Sequence, residues 1–151
     1  MDRDAPDPGL VRAQWVLGRL DPEDLPPLAG RFLQEGFDGQ SLRELAGLTK
    51  PTRADIEQLV DAALGETGAE SMDGLSAAWT VARSIAAKII RGDLAPHDGA
   101  RDIGNVARMN AELAPLMVFA GLASEWEDDL LHRSQYEGAI LEEARSIVEE
   151  A

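Results

Sequence analysis

Residues 72–91 read MDGLSAAWTVARSIAAKIIR, and their spacing decides the fold class. Leu75, Ala78, Trp79, Ala82, Ile85 and Ile89 recur every three or four residues, which lines them along one face of a helix. The spacing predicts a long amphipathic helix over 72–91, stopped by Gly92. Nowhere in the chain does strand-like alternation run for more than a few residues.

Toward the C-terminus, Pro96 opens a second helix, over 96–110. Pro115 permits a third, over 113–128. There Leu116, Met117, Val118, Phe119, Ala120, Leu122 and Ala123 leave almost no polar face, so this helix is expected at the centre of the fold. Ser124-Glu125-Trp126-Glu127 has the form of a capping box, a point at which the helix could break and restart. Ser134-Gln135-Tyr136-Glu137 is a further box. Its helix runs to the chain end, burying Tyr136, Ile140, Ala144, Ile147 and Val148 and turning most of its acids outward.

Toward the N-terminus, residues 65–74 (GETGAESMDG) read as a linker. Thr52-Arg53-Ala54-Asp55 opens a helix with Ile56, Leu59, Val60, Ala63 and Leu64 on one face. Ser41-Leu42-Arg43-Glu44 is a capping box for a short helix that ends near Gly47. Pro26 lies too deep for a helix begun at Asp21-Pro22. A turn at 22–25 and a helix over 26–35 follow, with Leu28, Phe32 and Leu33 inward. Residues 10–20 have helical spacing, and residues 1–9 (MDRDAPDPG) read as a disordered tail. The expected fold is all-α, a compact multi-helix domain of seven or eight helices. A four-helix-bundle-like unit occupies 72–151, and the shorter helices of 10–65 pack against it.

Composition narrows the chemistry. The chain of 151 residues has no cysteine, which removes disulfides, thiolate catalysis and cysteine-ligated metals. Two histidines, His97 and His132, leave little for histidine catalysis or transition-metal sites. Met1-Asp2-Arg3-Asp4 lacks the basic start and apolar run of a signal peptide. The longest strongly apolar run, 113–123, is too short to span a membrane. A cytoplasmic protein is the expectation. Net charge is −14, which repels nucleic acid and anionic membranes and attracts basic partners. Residues 125–151 carry half of that excess, with nine acids and two bases.

Four motifs invite a functional reading. Residues 41–60 (SLRELAGLTKPTRADIEQLV) resemble a DNA-binding helix-turn-helix, which would imply that the second helix reads the major groove. That helix carries Arg53 against Asp55, Glu57 and Asp61, a surface that repels phosphate, so nucleic acid is an unfavoured partner. Asp128 and His132 are four residues apart and Asp129 and His132 three, so either pair can meet on a helix. They form a fragment of a di-iron motif, with Asp in place of Glu and no second copy. No metal or other cofactor is expected. His97-Asp98 has no nucleophile at a diagnostic spacing. Trp126, among Glu125, Glu127 and Asp128, reads either as a core anchor at a helix end or as an interface hot spot.

In size, helicity and charge, the C-terminal part resembles small acidic helical immunity proteins that neutralise basic toxin nucleases. The leading reading is an acidic helical protein-interaction module, an inhibitor or immunity-type protein for a basic protein partner. Its expected interaction residues are Trp126, Glu127, Asp128, Asp129, Glu142, Glu143, Glu149 and Glu150. The alternative is a helix-turn-helix DNA-binding regulator using 41–60, and an enzyme ranks last. A homodimer is compatible with either reading. Helix content should be the same before and after EDTA, as measured by circular dichroism. Loss of helix on chelation would instead put a metal near His132.

Overall fold

The computed structural model describes residues 6–149. The chain divides into two compact units, Met1–Ala77 and Ala78–Ala151. Among the described residues there are eight α-helices and no strands. No helix is long and apolar enough to cross a membrane.

In the first unit, α1 spans Pro8–Val16, α2 Leu25–Gln34, α3 Gln40–Ala46 and α4 Arg53–Gly65. The first five residues of the expected tail lie outside the described residues, and Pro8 and Gly9 already belong to α1. A single 3-10 turn, Pro22–Asp24, leads into α2. Pro26 and Pro27 thus fall in the first turn of α2, where backbone N–H groups have no intrahelical acceptor to lose. The inward stripe of α2 is Leu25, Ala29 and Phe32, while Leu28 and Leu33 are half-buried at its edges. These residues share one core with Val11, Leu42, Leu45, Ile56, Val60, Ala63 and Leu64. Burying a side chain the size of Phe32 stabilises by about 1.5–3 kcal/mol.

Among the described residues of that unit, Arg12 is the one buried charged side chain, at 4% exposure. It donates to the Asp61 carboxylate at 2.8 Å and to the carbonyls of Asp61 and Ala69 at 3.2 and 3.0 Å. A guanidinium can serve several acceptors from one planar group, so it ties α1 both to α4 and to the segment after it.

The helix starts are satisfied in two ways. At α4, Thr52 and Asp55 form the expected reciprocal box, with bonds of 3.2 and 2.9 Å. The box expected at 41–44 does not form, because α3 starts earlier, at Gln40, and leaves Ser41 inside the helix. Glu66, just past the end of α4, reaches α3 instead. Its carboxylate accepts from the N–H groups of Leu42 at 2.7 Å and Ser41 at 3.2 Å. A Cβ on Gly39 would fall within 2.2–2.7 Å of the Glu66 side chain, so the glycine leaves room for the cap.

Helix α5 (Gly74–Arg91) starts in the first unit and has residues 78–91 in the second, where α6 (Pro96–Ala107), α7 (Met117–Asp128) and α8 (Arg133–Glu149) follow. Asp73 starts α5 by accepting from the Ser76 N–H at 2.8 Å. The Ser76 and Thr52 amides hold the Asp73 and Asp55 carboxyls below the usual carboxylate range. Both caps therefore stabilise fully above that range, and their contribution is lost as pH falls through the lowered values. Helices α6, α7 and α8 pack on one another. The closest approach is at Gly104, where a Cβ would sit 2.8 Å from the Ala120 methyl and 3.0 Å from its Cα.

Helix α7 differs from expectation at both ends and along one face. Residues Ala111–Leu116, including Pro115, form a 3-10 turn, so the α-helix starts only at Met117. It runs unbroken through Ser124-Glu125-Trp126-Glu127 to Asp128. Only Phe119, Ala120 and Ala123 are buried within it, while Met117 and Val118 are exposed. The small residues that meet α6 fix the inward stripe, and apolar positions off that stripe stay outside.

The Glu66–Gly39 contact gives a stability test. Glu66→Ala should destabilise by about 1 kcal/mol in chemical denaturation, the usual cost of losing a helix cap. Gly39→Ala should cost a similar amount by pushing the carboxylate away. The double variant should cost little more than either single one, because both remove the same interaction. Additive losses would mean that Gly39 serves something other than the cap.

Candidate functional site

A connected cluster of polar and aromatic side chains lies at the corner between α7 and α8. Trp126 lies on the last turn of α7. The His97 ring, from the first turn of α6, stacks on it at 3.6 Å between centroids and 4° between planes. The Arg133 guanidinium carbon is 3.8 Å from the Trp126 ring. Two planar groups cannot share one face at these distances, so the indole is held between an imidazole and a guanidinium. Its N–H donates to Glu137 at 3.1 Å, and Arg133 Nε donates to the Trp126 carbonyl at 3.0 Å. The ring is half-buried, with both faces and its one polar atom engaged.

Glu137 thus serves Trp126. The capping box expected at 134–137 is not formed, since α8 begins at Arg133 and Ser134 is already helical. Of the residues expected inward on α8, Ile140, Ala144 and Ile147 are buried, and Tyr136 and Val148 are half-buried.

Asp129 closes the corner. Its N–H ends α7 by donating to the Glu125 carbonyl at 2.9 Å. Its carboxylate accepts from the Tyr136 hydroxyl at 2.9 Å and lies 2.8 Å from His132 Nδ1. The Tyr136 bond, with that of His132, lowers the Asp129 carboxyl below its ordinary range. The same bond raises the Tyr136 phenol above its ordinary value of 10.0. Asp129 and His132 therefore meet, as their spacing allowed, with a tyrosine as third member. Among the described residues no group of three or more His, Asp or Glu side chains is placed to hold a metal ion.

The remaining acids fall in two places. Glu127 is paired with Arg101, which also lies 3.8 Å from Asp98. Glu125 and Asp128 are exposed and make no ion pair among the described residues. Glu142 and Glu149 are exposed on α8 and Glu143 is half-buried, while Glu150 lies outside the described residues. At 1.5 Å of rise per residue, Glu142 is about 9 Å and Glu149 about 20 Å along the axis from Tyr136. The structure thus groups Trp126, Glu127, Asp128 and Asp129, and it sets Glu142, Glu143 and Glu149 along a different stretch.

One feature of the corner has no counterpart among the residues singled out from the sequence. Leu130 is 70% exposed and Leu131 90%, on a 3-10 turn (Leu130–His132) between the two helices. The available signal was an apolar pair that fits neither flanking helical stripe and directly follows Asp128-Asp129.

The other candidates are engaged structurally. His97 is 3.3 Å from Asp98, but its ring is committed to Trp126. In the helix-turn-helix look-alike, α3 and α4 do pack together. However, the Arg53 guanidinium lies 4.7 Å over the Trp15 ring and 3.9 Å from Glu57. Asp55 is spent on the cap and Asp61 on Arg12.

Tyr136 is the only tyrosine in the chain, so tyrosinate absorbance reports it directly. Its titration midpoint should lie above 10.0, and Asp129→Ala should bring it back toward that value. The bond's contribution to stability is present below the ordinary phenol range and is lost as pH rises through the raised value. A parent and a variant that titrate together would mean that the bond does not persist in solution. No family model, no curated protein and no solved structure matches this chain.

Proposed function

We propose that this chain is an acidic helical protein-interaction module that binds a basic protein, in the manner of an inhibitor or immunity-type protein. The observation that carries this reading is the set of exposed carboxylates that no base among the described residues pairs with. They are Glu125 and Asp128 at the corner, and Glu142 and Glu149 on α8. Like charges held on folded helices repel one another, and a basic partner relieves that repulsion while being steered to the surface. The braced corner supports the same reading, because a surface fixed in advance loses little freedom on binding. The proposed compartment is the cytoplasm, where a cysteine-free chain loses nothing to reducing conditions.

The test starts with a partner captured on the immobilised chain from an extract of the native host. Its association rate should fall steeply as ionic strength rises to about 0.15 M, where charges are screened beyond roughly 8 Å. A variant with Glu125→Gln, Asp128→Asn, Glu142→Gln and Glu149→Gln should associate roughly tenfold more slowly at low salt and lose most of the salt dependence. Equal rates for parent and variant would mean that these acids only keep the protein soluble.

A further inference from the structure

We infer that Leu130 and Leu131 form the apolar anchor of that interaction, docking into an apolar pocket on the basic partner whose rim carries Lys or Arg; this rests on the interaction reading above. They are the two most exposed large apolar side chains among the described residues, at 70% and 90%. Water-exposed leucines on a loose loop would fold back at little cost. These cannot, because the turn that bears them is held from both sides. Before it, the Asp129 N–H is bonded to the Glu125 carbonyl and the Asp129 carboxylate to Tyr136. After it, His132 reaches the same carboxylate and Arg133 is fixed against Trp126 by a hydrogen bond and by its ring contact. The leucines are therefore presented outward on a rigid tip, and little order remains to be gained on binding.

Charge selects the occupant. Asp128 and Asp129 immediately precede the pair, and Glu125 is one turn earlier on α7. Any surface that covers the leucines must come close to these carboxylates. A second copy docked tip to tip would bring Glu125, Asp128 and Asp129 of both copies into one small contact, where like charges repel. An anionic membrane meets the same repulsion. A basic protein with an apolar recess satisfies both the leucines and the acids. The arrangement is that of an interface hot spot, an apolar knob at the centre and a polar rim around it.

The test is photo-crosslinking in the native host from two positions on the full chain. Benzoylphenylalanine is placed at position 131 in one variant and at position 142 in another. Position 131 should capture a basic protein through a peptide whose apolar residues are bordered by Lys or Arg. The double variant Leu130→Ser, Leu131→Ser should bind that protein roughly tenfold to a hundredfold more weakly, mainly through faster dissociation. Its circular dichroism and thermal midpoint should match the parent, because both side chains are already in water. A partner captured from position 142 but never from 131, with unchanged affinity for the double variant, overturns the tip while leaving the interaction reading intact. Capture of nothing at either position overturns both. Crosslinks from 131 to a second copy, or leucine-dependent binding to phosphatidylcholine vesicles, would equally overturn the assignment of a basic protein as the occupant.

Discussion

A fold made of short helices is governed by its helix ends. Each start leaves several N–H groups without an intrahelical acceptor, and this chain contains eight such starts among its described residues. Oxygen-bearing side chains answer several of these, and one 3-10 start as well, whereas α2, α6 and α7 begin without a side-chain cap. Asp7 accepts from the Gly9 N–H, Thr52 and Asp55 cap each other, Asp73 accepts from Ser76 and Asn110 from Glu112. Glu66 does the same across 24 residues of chain. A negative charge there is also favoured by the helix dipole. Part of the acid excess is thus bound up in architecture, and only the acids left over after capping and ion pairing are candidates for another use.

The periodic part of the fold was legible in the sequence. Apolar residues at helical spacing announced an all-α chain, and the Thr52–Asp55 box formed where it was read. What was not legible is whatever depends on a distant partner. Ser41 and Ser134 have the right neighbours for capping boxes, yet both lie inside helices. In one case Glu66 supplies the cap, and in the other Glu137 is drawn to the Trp126 indole. Local spacing cannot see such competition. The exposed side of α7 was hidden for a related reason. Composition reports how apolar a helix is, whereas the close contact of Gly104 with Ala120 decides which way it faces.

The corner was only half legible. The spacing of Asp129 and His132 allowed their meeting, but Tyr136 as the third member lies a full turn further on and belongs to the next helix. Trp126 reads from its neighbours as core or as interface, and in the structure it is half-buried, a strut loaded on both faces by His97 and Arg133. Its value lies in rigidity. The acids around Leu130 and Leu131 have a second effect under this geometry, since charges flanking an exposed apolar pair discourage chains from sticking to one another.

The contact between Gly39 and Glu66 reaches beyond this one molecule. Room for the carboxylate exists only because position 39 has no Cβ, and the carboxylate is the cap that α3 uses. Neither residue is informative about the other in sequence, where 27 positions separate them. Physically they are a single trait. In descendants of this chain, a side chain gained at 39 removes the advantage of an acid at 66, and loss of the acid frees 39 to vary. The two positions should therefore be inherited and lost together, leaving a covariation signal that links the start of α3 to the end of α4.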